Sequence, residues 1–174
     1  IIKVCGTDTL INVVSGIDKR IHNLRMQKRS EGEFGKTTIH QFVLSASGRL
    51  TEVPAVRTRH IEFIGNSLTC GYGIDGKHRD EPFLVETENC NRTFATMIAR
   101  YYDADYTLIA HSGRGAARNY GDSVRVSKVT MKDRMLNTFD EDLTLKWNFT
   151  AYRPDLVVIN LGSNDFSTEP HPYK

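Results

Sequence analysis

The sequence predicts an α/β fold, a parallel sheet covered by helices, preceded by an all-β segment. Three observations carry this. Residues 1–53 hold short apolar runs between turn residues and no helical periodicity. After Pro54, apolar strand-like runs alternate with a helical pattern, the grammar of a parallel sheet. The last run, Asp155 to Leu161 (DLVVINL), is almost wholly apolar, which suits a central parallel strand covered on both faces. The boundary falls at residue 56, giving an all-β unit over 1–56 and an α/β unit over 57–174.

The elements follow in order. Ile11 to Val14 and Gln41 to Leu44 are apolar runs, with Gly16-Ile17-Asp18, Gly32 to Gly35 and Ser45 to Gly48 as the turns between. His22 to Arg29 alternates loosely and reads as a strand. Its basic residues Arg20, Arg25, Lys28 and Arg29 form a solvated sheet face. Ile61 to Ile64 is a strand broken by Gly65. Phe94, Met97, Ile98 and Tyr101 recur at helical spacing, and Asn89 or Asn91 can cap that helix. Tyr106 to Ala110 is a second strand and Asp155 to Leu161 a third.

Composition narrows the function. Hydrophobic residues make up 39% of the 174 and charged residues 25%, enough apolar content for a packed core. Lys plus Arg total 23 against 21 Asp plus Glu, a net charge of +2, which gives no reason to propose nucleic acid as partner. No apolar run is long enough to span a bilayer, and no signal-peptide pattern opens the chain, which begins at Ile1. That start is expected to be a processed or incomplete end. Cys5, Cys70 and Cys90 fit neither a disulfide framework nor a zinc pattern. They read as buried free thiols, although Cys70 could pair with Cys90.

Ligands of open α/β sheets bind beyond the carboxyl ends of the strands, and each predicted strand runs there into small polar residues. These are Gly65-Asn66-Ser67-Leu68-Thr69, Ser112-Gly113-Arg114-Gly115 and Gly162-Ser163-Asn164-Asp165. A serine on a strand-to-helix turn is exposed beside backbone N–H groups, and its hydroxyl attacks an ester carbonyl once a base removes the proton. The oxyanion that forms needs donors. The N–H of Ser67, a glycine N–H after strand two and the side-chain amide of Asn164 suit that task. Asp165 reads as a structural loop residue.

These segments resemble the SGNH (GDSL-type) hydrolases: GNSLT the first block, SGRG the second and GSND the third. The longer strings FIGNSLTCGYG, ENCNRTFATMIAR, LIAHSGRGAARNYGD and PDLVVINLGSNDFS resemble, more narrowly, carbohydrate esterase family two. Those are bacterial enzymes that remove acetyl groups from plant polysaccharides such as xylan. The resemblance implies an SGNH-type three-layer domain over 57–174, incomplete at its carboxyl end. It further implies that residues 1–56 are the last part of a β-sandwich of jelly-roll type. It makes Ser67 the nucleophile and Ser67, Gly115 and Asn164 the oxyanion hole, with Gly113 the second choice of glycine. It also implies an acetylated polysaccharide or oligosaccharide substrate, no metal or cofactor, and a secreted or periplasmic location.

Two departures stand out. Asn66 occupies the place of the usual Asp before the nucleophile and keeps an acceptor oxygen. The family's catalytic histidine lies near the carboxyl end in an Asp-x-x-His context, and none of the six histidines matches it. His22 and His40 lie in the β region, His60 at the wrong end of strand one, His78 in a charged loop. His111 reads as a wall of the cleft. His171 follows the third block closely and lacks the preceding Asp, so the base is expected beyond Lys174. Trp147 reads as core. The rival readings are another SGNH lipase or thioesterase, and a non-catalytic carbohydrate-binding fragment.

Overall fold

The structure, a computed structural model, describes residues 9–52 and 57–167. Cys5, Pro54 to Val56 and His171 lie outside them. The ordered centre is a three-stranded parallel sheet of β1 (His60–Gly65), β2 (Asp105–Ala110) and β3 (Leu156–Ile159), in the order β2-β1-β3. The register pairs Phe63 with both Leu108 and Val158, so all three strands end at one edge. The helices are α1 (Ser67–Cys70), α2 (Phe94–Tyr101) and α3 (Met131–Arg134).

Side chains alternate across a strand. Ile61 and Phe63 therefore share one face of β1, where they pack with Ala95, Ala99 and Ala104, flanked by Phe94, Tyr106, Leu108 and Val158. The helix over residues 94–101 is where the periodicity predicts it, but the buried face differs. Ala95, Thr96 and Ala99 face the sheet, while Met97 and Tyr101 point to solvent, Tyr101 at 83% exposure. Small side chains let a helix approach a sheet closely, and Phe63 fills that gap against Phe94 edge to face (6.1 Å between ring centres). Asn89 caps a 3-10 turn over Cys90–Arg92 just before α2, accepting from Asn91 N–H (3.1 Å).

Among the described residues the apolar run of β3 lies at an edge of the sheet and not at its centre. β1 takes the middle, and Leu156, Val157 and Ile159 of β3 are exposed along the edge. An apolar run marks a strand by its chemistry, whereas its position depends on what pairs on either side, which periodicity does not encode.

Among the described residues, 9–52 form no strand ladder. Their one regular element is a 3-10 turn over Gly32–Phe34. Leu10, Ile21 and Leu24 are exposed. A strand exists only through its partner, and Ile11 to Val14, His22 to Arg29 and Gln41 to Leu44 find none there. Less exposed is the stretch Arg29 to Gly32, which lies against the α/β unit. Cys90 N–H donates to the Arg29 carbonyl (3.2 Å), and the Arg29 guanidinium reaches Asp75 (2.8 Å) and the Glu88 carbonyl (2.9 Å).

Candidate active site

Because the strands are parallel with β1 in the middle, the loop carrying Ser67 is flanked by the loop after β2 on one side and the loop after β3 on the other. Ser67 is the first residue of α1 and is half-buried. Its hydroxyl makes no hydrogen bond among the described residues. Asn66 is the N-cap, its Oδ1 accepting from Leu68 N–H (3.2 Å). The acceptor oxygen is thus the part of an Asp that Asn retains here. Its amide adds a donor, given to Ser163 Oγ (2.9 Å), which ties the first loop to the third. Helix α1 is only four residues long, so individual N–H groups matter more than a helix dipole.

The second and third loops are joined more firmly. Asp165 accepts from Ala116 N–H (2.9 Å), Ala117 N–H (2.6 Å) and Arg118 N–H (3.0 Å). Burial opposes the charge on Asp165, but these backbone donors outweigh it and hold the carboxyl below its ordinary value. Asn164, 8% exposed, donates one amide hydrogen to the Arg114 carbonyl (2.8 Å). An amide carries two such hydrogens, so one remains for a ligand. Gly115 is buried in this junction, and a Cβ there would collide with the Arg118 carbonyl oxygen and the Asp165 carboxylate. Its N–H points at Asn119 Oδ1 over a long 3.4 Å. Gly113 has a left-handed φ of 74° with open space around it, and its N–H has no acceptor among the described residues. A hollow of about 420 Å³ lined by Ala117, Ile159, Leu161 and Phe166 opens beside the junction, but Ser67 does not line it.

The histidines sort by place. His111 is 3% exposed, its Nδ1 2.5 Å from Asp140 Oδ2 and its Nε2 3.6 Å from Glu33. It is a walled-in residue beside Arg134, which also reaches Asp140. His60 stands at the amino end of β1, bonded to Thr107 Oγ1 (3.0 Å) and edge-on to Tyr152, with burial lowering its pKa. His22, His40 and His78 are exposed. Trp147 is not core: it is 39% exposed, just after the isolated bridge between Asn137 and Lys146. Cys70 and Cys90 are free and buried.

Sequence reasoning missed a buried pair of carboxyl groups. Glu31 and Glu88 lie with Cys70 behind α1, one ligand-type atom of each within 4.8 Å of the others. Glu31 stands just before the turn at Gly32 to Gly35, and Glu88 just before the cap candidate Asn89. No periodicity flags either, because their burial comes from docking between distant segments.

Residues 63–174 match the GDSL-like lipase/acylhydrolase family. The chain is 37% identical over 165 residues to the cellulase/esterase CelE of Acetivibrio thermocellus, covering 95% of this chain and 20% of that protein. It is 35% identical to an acetylxylan esterase / glucomannan deacetylase of Cellvibrio japonicus, covering 84% of this chain and 40% of that one. Among solved structures it resembles a family two carbohydrate esterase from Clostridium thermocellum in complex with cellohexaose. The TM-score is 0.65 at 40% identity, over 71% of this chain and 37% of that chain. The chain therefore spans between a fifth and two fifths of these relatives.

Proposed function

The chain belongs to the GDSL-like lipase/acylhydrolase family, and from that premise we propose that the protein is a serine ester hydrolase removing O-acetyl groups from a plant polysaccharide or oligosaccharide. The observation that carries this is the convergence of three hydrogen-bonded loops at one edge of the sheet, with a serine hydroxyl on the central strand's loop that has no partner among the described residues. A family two carbohydrate esterase and an acetylxylan esterase among the relatives support the substrate class.

A base removes the Ser67 proton as Oγ attacks the acetyl carbonyl carbon, and the carbonyl π pair moves onto oxygen. Ser67 N–H, the second hydrogen of the Asn164 amide and a glycine N–H of the second loop stabilise that charge. The glycine is Gly115 by its place in the motif, with Gly113 the second choice, its N–H without an acceptor among the described residues. Collapse expels the sugar hydroxyl with the proton, and water then releases acetate from the acyl-enzyme by the same steps. No described histidine lies beside Ser67 with a free nitrogen to serve as base. We therefore place the base outside the described residues, at His171 or at a histidine of the complete protein in an Asp-x-x-His setting. The proposed division is a hydrolase unit over 57–174 and the last part of a jelly-roll β-sandwich over 1–56, in a secreted or periplasmic protein.

The test is made on the complete protein with acetylated xylan. Ser67→Ala is expected to lower turnover by roughly 10³–10⁶-fold, and an organophosphonate is expected to label Ser67. Labelling of a different serine, or full activity of the variant, overturns the assignment. Retention of glycan without acetate release would instead mark a binding module.

A further inference from the structure

We propose that Glu31, supplied by the amino-terminal segment, is a positioning residue of the hydrolase site, holding the nucleophile helix and the loop after β2 at a fixed separation. The inference rests on the ester hydrolase reading above. Glu31 Oε2 accepts from Ser112 N–H at 2.6 Å, across 81 residues of sequence, and the same oxygen faces the Cys70 thiol at 3.6 Å. Ser112 directly precedes Gly113, and Cys70 ends the helix that Ser67 begins. One carboxylate oxygen therefore touches two of the three loops that form the candidate oxyanion hole. Asn66 and Asp165 link the first loop to the third and the second to the third. Glu31 closes the remaining link, first to second.

The carboxylate is itself held in place. Its backbone N–H donates to Glu88 Oε2 (3.1 Å), and its carbonyl accepts from Lys28 Nζ (2.5 Å). Glu31 Oε1 and Glu88 Oε1 are both buried without a hydrogen-bond partner among the described residues. Burial, then repulsion from Glu31, raises the Glu88 carboxyl, and a proton held by Glu88 and shared with Glu31 satisfies such oxygens. The Ser112 bond is short, as strong bonds to carboxyl oxygens are, and removing the acceptor leaves a part-buried N–H unpaired. An exposed surface carboxylate would do neither.

The experiment compares Glu31→Ala and Glu31→Gln in the complete protein, with 4-nitrophenyl acetate as substrate and amide exchange over residues 110–116 as a second readout. A displaced oxyanion donor costs transition-state stabilisation, so Glu31→Ala is expected to lower kcat by about 10- to 100-fold with KM nearly unchanged. Exchange at Ser112 should rise with it. Glu31→Gln keeps an oxygen for Ser112 N–H and gives Glu88 a donor in place of the shared proton, so it should recover most of kcat and of the protection. If Glu31→Ala fails to fold, Glu31→Asp, one methylene shorter with the charge intact, carries the same expectation as Ala. Unchanged kcat and protection in Glu31→Ala overturn the proposal, as does a Gln variant no better than Ala. A wild-type protein inactive on acetyl esters defeats the hydrolase reading instead, and the exchange comparison still decides whether Glu31 holds Ser112.

Discussion

Asn164 shows how much one side chain does here. Its amide bonds the Arg114 carbonyl with one hydrogen, and in the proposed mechanism the other meets the developing oxyanion. Truncation removes both. Losing one oxyanion donor typically costs about 10²–10³ in turnover, roughly 3–4 kcal/mol. Asn164→Ala should therefore depress kcat far more than KM, measured by steady-state acetate release. A rise in KM alone would make Asn164 a ground-state binder. The positions of Ser67 and Asn164 in the loops after β1 and β3 were legible in the sequence, because each loop follows an apolar strand and is rich in small polar residues. Glu31 was not legible. Its neighbours Gly32 and Gly35 signal only a turn, and its partners Ser112 and Glu88 lie 81 and 57 residues away. Asp165 falls between the two. The sequence marks it as a loop residue, but not as the acceptor of three backbone N–H groups.

Elements were legible in kind and less so in placement. After residue 57, strands of four to six residues with apolar runs, and a helix with periodic apolar positions, appear where the pattern puts them, whereas the three strand-like runs within 9–52 form no ladder among the described residues. Which face of α2 is buried was not, because packing selected the alanines that allow close approach over the larger Met97 and Tyr101. The loop after β2 shows the same principle at the site. Gly115 is required by space, since the Arg118 carbonyl and the Asp165 carboxylate occupy the volume a side chain would need. A backbone carbonyl cannot rotate away as a side chain can. Gly115→Ala should thus push the second loop off Asp165 and destabilise the protein by about 1–3 kcal/mol, the usual cost of overpacking. Chemical denaturation measures it. Gly113→Ala meets no such wall, and its cost arises only from the left-handed φ. Equal stability of Gly115→Ala and wild type would show that the loop is held more loosely than these contacts require.

At the scale of the whole molecule, the amino-terminal segment and the α/β unit meet at a titratable contact. Glu88 is fully buried, and burial, then repulsion from Glu31, pushes its carboxyl up to about 7 from an ordinary 4.5. The groups around it are Glu31 and Lys28 from the amino-terminal segment, Cys70 from α1 and Cys90 from the turn before α2. The Arg29 guanidinium sits at the Glu88 carbonyl and is paired with Asp75. Lys28 favours the charged form of Glu88 but does not offset the burial, and burial raises both thiols, so neither supplies charge. In the unfolded chain Glu88 ionises near its ordinary value. Between about pH 4.5 and pH 7 the folded protein therefore holds a proton that the unfolded chain has released. The stabilising contribution is complete below the lower value and is lost as pH rises through the upper one. Asp75 and Asp165 act in the opposite sense. Both are held below their ordinary 3.8, so their stabilisation is present above it and lost on acidification. His60, lowered from 6.5, also favours the fold as pH rises. Only Glu88→Gln isolates the contact, since it mimics the protonated acid without titrating. Thermal unfolding followed from pH 4.5 to 8 should show the wild type losing stability relative to Glu88→Gln across this window, with the two parallel above it. Parallel curves throughout would mean that Glu88 ionises at its ordinary value and that the junction carries no shared proton.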